Sequence, residues 1–325
     1  MFTFVHMKKS GLDKSRLLSP TTLNNFLKKY ALFDSLDILG TSVQNRPIYS
    51  YSVGDGPKKI LMWSQMHGNE STTTKALVDF WLYLKTPKAK QFREACTFVM
   101  IPQLNPDGSD AYTRLNANGV DLNRDAIDLS QPESRVLRDV YEQFKPDYCF
   151  NLHGQRTIFA AGDSPIPATV SFLAPSSDHD RTITTARELA MKLIVIANIK
   201  LQVDITGAVG RYDDGFNINC VGDYFTAQNT PTVLFEAGHY PSDYKRAETR
   251  KHIFNSLVVM LDAIVSGSLE TIETAPYFEI PENENHLRDI ELYNLKKSPD
   301  GLPVFGNCML IQFKEVRKNN DIDFI

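Results

Sequence analysis

Short apolar runs that end abruptly at polar, glycine-containing turns alternate with helical stretches along most of this sequence. The clearest is Lys59-Ile60-Leu61-Met62-Trp63-Ser64-Gln65. It lacks the polar alternation of a half-exposed strand, so it reads as a strand buried on both faces. Residues 97–104, 147–152, 170–174 and 232–235 are predicted as further strands. Helices are predicted over 18–35, with Ser19 or Thr21 as cap, and over 71–84, 132–144, 181–197 and 246–266. An early hairpin is predicted from 38–40 and 48–53, joined through Gln44-Asn45-Arg46-Pro47. Strands separated by helices imply an α/β fold, with a mixed, largely parallel central sheet flanked by helices.

The alternation breaks near 270–286, where Pro276, Pro281 and a run of Glu and Asn intervene. Two strands are predicted beyond it, at 289–295 and 309–316. The expected organisation is a large α/β domain over 1–269 and a small β-rich C-terminal extension over 270–325. A chain of 325 residues is long enough for one large domain with an appendage.

Charge narrows the partners. Net charge is −4, with no basic patch of the kind nucleic acid requires. No apolar stretch is long enough to span a bilayer. The first residues lack the basic, apolar and cleavage-site order of a signal peptide, so a cytoplasmic protein is expected. The four cysteines, Cys96, Cys149, Cys220 and Cys308, are scattered, which excludes a thiolate zinc site. Cys149 and Cys220 lie in apolar surroundings and read as buried free thiols.

Three candidate metal ligands stand out by position. His67 and Glu70 lie just past one buried strand, and His153 lies at the end of another. Ligand sites in α/β sheets form beyond the carboxyl ends of strands, so residues distant in sequence can meet there. Two imidazoles and a carboxylate, with a fourth position open to water, make a catalytic zinc site. Taken alone, the His-x-x-Glu pair suits a surface turn equally well, and His153 suits a core histidine. Glu236 adds a fourth constraint, because it ends the apolar run Thr232-Val233-Leu234-Phe235. A carboxylate there is costly to bury without a partner or a task. Beside a metal-activated water it would serve as general base and then general acid.

A polar loop lies between these points, from Arg114 to Asp125. An arginine next to the metal can stabilise a developing oxyanion. A second arginine with a neighbouring asparagine can fork onto a free carboxylate.

Five motifs then resemble the zinc carboxypeptidases, in the order that family has them. They are His67-Gly-Asn-Glu70, Asn105-Pro-Asp-Gly108, Gly119-Val-Asp-Leu-Asn-Arg124, Asn151-Leu-His153 and Phe235-Glu236. The segment 41–51 looks like the early strand region of the same family, and the resemblance covers roughly residues 35 to 265. It implies one Zn2+ per chain, bound by His67, Glu70 and His153, with Glu236 as general base. It implies that Arg114 polarises the scissile carbonyl and that Asn123 and Arg124 hold the terminal carboxylate of the substrate. Asp121 matches the carboxylate that orients the first histidine. The family's lid tyrosine falls nearest to Tyr212, with Tyr224 and Tyr240 as rivals.

Two departures stand out. Asn69 occupies a place where many family members carry an arginine, and no resemblance extends into 270–325. The residue that sets side-chain preference is expected near 219–223, with Asp223 a candidate. The implied activity is a zinc metallocarboxypeptidase acting on peptides. Two alternatives remain: a zinc amidase or deacylase on cell-wall peptides or N-acyl amino acids, and an inactive binding protein on the same scaffold. The implied partner is a peptide or small amide, with no nucleic acid and no membrane.

Overall fold

A computed structural model describes residues 12, 15–30, 32–293, 308–319 and 321–325. Its centre is an eight-stranded sheet in the order β1-β2-β4-β3-β5-β9-β7-β8. The strands are β1 (Asp37–Thr41), β2 (Pro47–Val53), β3 (Lys58–Ser64), β4 (Cys96–Ile101) and β5 (Tyr148–Gly154). After β6 (Phe159–Ala161) come β7 (Val170–Leu173), β8 (Val209–Arg211) and β9 (Thr232–Ala237). Pairing is parallel for β4-β3, β3-β5, β5-β9 and β7-β8, and antiparallel at β1-β2, β2-β4 and β9-β7.

The unbroken apolar run in β3 has the cause expected of it. Ile60 and Met62 enter a core on one face of the sheet, while Leu61 and Trp63 enter a second core on the other. The first core is closed by α2 (Ser71–Leu84), α6 (Thr185–Asp204) and α8 (Ala247–Ser266), with α1 (Pro20–Lys29) and α3 (Lys90–Ala95) at its margin. The second is closed by α5 (Pro132–Phe144) and α7 (Val221–Ala227). The remaining helices, α4 (Pro106–Ala111) and α9 (Ala275–Glu279), are short. A buried ion pair ties α2 to α8. The Arg250 guanidinium forks onto Asp79, with Nε and one terminal nitrogen each 2.6 Å from a carboxylate oxygen. Burying two charges is tolerable only with such bidentate geometry.

Beyond α8 the chain stays on the body of the fold. Tyr277 and Ile280 are buried in the first core. β10 (Asn283–Asn285) pairs with β6. β11 (Ile290–Tyr293) pairs with β12 (Cys308–Ile311), and β13 (Glu315–Lys318) with β14 (Asp321–Phe324), giving small C-terminal hairpins. The single strand expected over 309–316 is therefore two strands, separated at Gln312–Lys314.

Other boundaries moved for local reasons. The helix expected over 18–35 divides into α1, capped by Ser19, whose hydroxyl accepts from the Thr22 amide, and a 3-10 turn at Phe33–Ser35. The helix expected from 181 starts at Thr185, because Arg181 is left-handed (φ 56°) and Thr184 supplies the cap. All four cysteines are free thiols, as expected, but Cys220 is only half-buried and borders the main cleft.

Candidate metal centre

The site forms where the parallel strands β3, β5 and β9 end. His153 and Glu236 are register partners on the adjacent parallel strands β5 and β9. Partners in this register point to the same side of a sheet, so the pairing sets Glu236 beside His153. His67 arrives from the turn after β3. Gln65 is left-handed there (φ 47°), and its amide donates to the Gly68 carbonyl at 2.7 Å. Asn105 pins the same turn from below. Its side-chain nitrogen donates to the Met66 carbonyl, and its side-chain oxygen accepts from the Gly108 amide at 2.8 Å. Gly68 and Gly108 are in backbone contact, and a Cβ on Gly68 would lie 1.9 Å from the Gly108 carbonyl carbon. Asp107 accepts from Ser42, the Gln44 amide and Arg46, holding the β1-β2 turn. The Asn105-Pro-Asp-Gly108 and Asn45-Arg46-Pro47 segments thus act here as scaffolding for the histidine turn.

The three candidate ligands converge. His67 Nδ1 is 2.9 Å from Glu70 Oε1, His153 Nδ1 is 3.0 Å from Glu70 Oε2, and the two Nδ1 atoms are 3.1 Å apart. All three donor atoms lie within 4.8 Å of one another. His67 Nε2 is 3.0 Å from Asp121 Oδ1, which favours the proton on Nε2 and leaves a lone pair on Nδ1. That lone pair faces a carboxylate oxygen, and the contact is repulsive unless a proton or a cation sits between them. The donor set therefore fits a divalent ion. Burial pushes the His67 imidazole down, but Glu70 and Asp121 outweigh it and the net shift is upward. Burial lowers His153, with Glu70 opposing. Against burial, the imidazoles hold the Glu70 carboxyl well below the ordinary carboxylate range. Nε2 of His153 has no hydrogen-bond partner among the described residues, unlike its counterpart on His67.

Around this centre Arg114, Asn123, Arg124, Tyr212 and Glu236 fall on one cleft of about 1130 Å³, and Asp121 lies behind His67 and Arg114 without lining it. Arg114 donates through Nε to Asp121 Oδ2 at 3.0 Å, and a terminal nitrogen lies 3.5 Å from Glu70 Oε1. Burial and the Glu70 charge push Glu236 well above its usual range, with Arg114 and Arg246 opposing. Its Oε2 is enclosed with no partner among the described residues. Asn123 accepts the Val221 amide at 3.0 Å, which seats the start of α7 against it, and Arg124 stands exposed on the cleft wall. Tyr212 lines the cleft, with its ring edge against Phe159. Tyr224 instead lies under Arg138, and Tyr240 lies near His252. Asp223 borders the cleft near Arg124, and burial raises its carboxyl to about 6.

Several cleft residues escaped the sequence reading. Arg16, Gln155, Arg246 and Gln312–Glu315 all line it. Asn283 hydrogen-bonds Gln155 and Tyr212 from the start of β10. They come from segments far apart in the chain, and only tertiary packing brings them here.

The zinc carboxypeptidase family profile matches residues 21–212. The chain belongs to the zinc carboxypeptidase family. Among curated relatives of this family, it is 29% identical over 170 residues to carboxypeptidase SOL1 of Arabidopsis thaliana, covering 46% of this chain and 33% of that protein. It is 30% identical over 175 residues to carboxypeptidase D of Rattus norvegicus, covering 46% of this chain and 13% of that protein. The match thus spans a third or less of either relative. The fold is shared with carboxypeptidase A of Helicoverpa armigera, at TM-score 0.61 and 17% identity over 81% of this chain and 77% of that one. It is also shared with a metallo-carboxypeptidase of Burkholderia cenocepacia, at TM-score 0.58 and 19% identity over 76% of this chain and 70% of that one. No helix among the described residues is long and apolar enough to cross a membrane.

Proposed function

We propose that this chain is a zinc-dependent metallocarboxypeptidase that removes the last residue of short peptides. The observation that carries the reading is the meeting of His67, Glu70 and His153 with Glu236 as register partner of His153. His67, Glu70 and His153 would hold one zinc ion per chain, and zinc bound there supplies a Lewis acid and an acidified water. Glu236, one of whose oxygens has no hydrogen-bond partner among the described residues, takes the proton of the attacking water and returns it to the leaving amine. Arg114 donates to the carbonyl oxygen as it gains negative charge. Asp121 keeps the His67 imidazole in the tautomer that leaves Nδ1 free. Asn123 and Arg124 hold the terminal carboxylate, so that only the last peptide bond reaches the centre. Tyr212 closes over the substrate and donates from its hydroxyl, which burial and Glu236 keep protonated at neutral pH. Asp223, beside that clamp, favours a side chain that is cationic or a hydrogen-bond donor.

A zinc amidase or deacylase is the second reading, favoured by Asn69 in the place of the family's frequent arginine. The four free thiols suit a reducing compartment and support a cytoplasmic location. The deciding experiment is a peptide panel with and without chelator, in which the last residue is varied and its carboxylate is free or amidated. Chelator-sensitive release of the last residue from free-carboxylate peptides is the expected result. Equal turnover of amidated peptides would leave the amidase reading standing in its place.

A further inference from the structure

The C-terminal hairpin β13-β14 and the residues that lead into it reach the cleft. Gln312, Phe313, Lys314 and Glu315 form part of the same wall as Arg16 and Tyr112. The hairpin is tied down by a charged cluster. The Glu315 carboxylate accepts from Arg16 at 2.5 Å and from the Tyr112 hydroxyl at 2.6 Å. Arg16 is itself 9% exposed and lies over the Tyr244 ring, 5.2 Å from its centre. Arg317 donates to the Asp110 carbonyl, Asp321 accepts from Ser15, and Phe324 meets Tyr244 edge-on at 4.9 Å. A half-buried ion pair with both carboxylate oxygens used fixes one docked position in a way that a loose tail would not.

The place of docking gives it a meaning. Tyr112 is two residues from Arg114, and Tyr244 is two residues from Arg246, a buried guanidinium that acts on Glu236. Among the described residues, the hairpin makes no hydrogen bond, ion pair or ring contact with Asn123, Arg124 or 219–223, where the terminal carboxylate and last side chain are assigned. The hairpin's contacts are instead with Arg16, Tyr112 and Tyr244, beside the arginines that act on the metal centre and Glu236.

We propose that this hairpin is the acyl-side wall of the cleft and that it restricts the enzyme to peptides with one or two residues ahead of the bond cut. This rests on the peptidase reading above. A backbone continuing towards a long substrate's N-terminus would meet Gln312–Glu315, whereas a short acyl part ends before them. Glu315 is a positioning residue in this scheme, because it acts by holding the wall.

The test uses the full chain loaded with zinc and two peptides that share their last two residues, a tripeptide and a decapeptide. The wild type is expected to show kcat/KM at least tenfold higher on the tripeptide. Glu315→Ala, which undocks the hairpin, should bring the two peptides to within about threefold. Glu315→Gln, which keeps one oxygen to accept from Arg16 and presents an NH2 to the Tyr112 hydroxyl oxygen, should restore most of the preference; a merely structural loss would not be rescued in length selectivity alone. Should Glu315→Ala fail to fold, the double variant Phe313→Ala/Lys314→Ala opens the same wall from its surface and should relax the preference likewise. Equal wild-type rates on both peptides would overturn the proposal. So would chelator-sensitive hydrolysis whose length profile none of these variants moves, leaving the peptidase reading intact. Absence of hydrolysis of either peptide by the zinc-loaded wild type would remove the peptidase reading and this inference with it.

Discussion

Glu236 sits one strand from His153 with an enclosed oxygen that has no hydrogen-bond partner among the described residues. A buried carboxylate in that state destabilises the chain, so it needs a purpose. Glu236→Gln keeps the shape and removes the proton acceptor. Turnover of a good peptide should fall by about 10²–10⁴-fold, the usual size of a general acid–base contribution, while the zinc content per chain stays near one. Metal analysis beside steady-state rates checks both halves. Near-normal hydrolysis would exclude Glu236 from proton transfer. Asp223 gives a pH prediction. Burial raises its carboxyl to about 6, so it is neutral at pH 5 and charged at pH 7. The ratio of kcat/KM for C-terminal Lys over C-terminal Phe should therefore rise as pH goes from 5 to 7 and then level off. Asp223→Asn should flatten the curve; a ratio that climbs unchanged in the variant assigns the titration to another group. Glu236 was legible because it ends an apolar run, where a charge is conspicuous, whereas Asp223 was placed by the family resemblance. Arg16, Arg246 and Glu315 were not, since nothing local marks an arginine or glutamate that becomes buried only when distant segments meet.

At the scale of elements, the sequence told more about strands than about the turns that aim the ligands. The unbroken apolar run of β3 announced burial on both faces, and the two cores confirm the cause. The helix at 71–84 was legible to the residue. Short strands such as β6 and β8 were not, because three residues show no period. The turn after β3 depends on a backbone contact that no periodicity reveals. Gly68 touches Gly108, and a Cβ there would fall 1.9 Å from backbone that has no freedom to yield. Gly68→Ala should accordingly destabilise the fold by roughly 1–3 kcal/mol, the range for overpacked sites. It should also weaken zinc binding, because the same turn carries His67. Chemical denaturation and zinc competition with a chromophoric chelator would measure the two effects. A variant as stable as wild type, with unchanged zinc affinity, would show that the two turns are not held in contact.

On the scale of the whole molecule, the metal centre and stability are coupled. The candidate ligands come from the turn after β3 and from β5, and the carboxylate beside them comes from the loop before α5. Unfolding scatters them, so zinc held there would bind the native chain and only weakly the unfolded one. Ligand binding to the native state alone adds RT ln(1 + [L]/Kd), about 4 kcal/mol at a thousandfold excess over Kd. With an unfolding entropy of roughly 2 cal/mol/K per residue over 325 residues, that corresponds to an upward shift in Tm of about 6 °C. Removing zinc with a chelator should reverse the shift. His153→Ala should abolish it, because Glu70 and His67 would then lack the second imidazole. Calorimetry of both proteins, with and without zinc, decides the matter. A zinc-induced shift of the same size in His153→Ala would place the stabilising ion elsewhere, and the convergence of these three side chains would then need another explanation, such as a shared proton between Glu70 and the imidazoles.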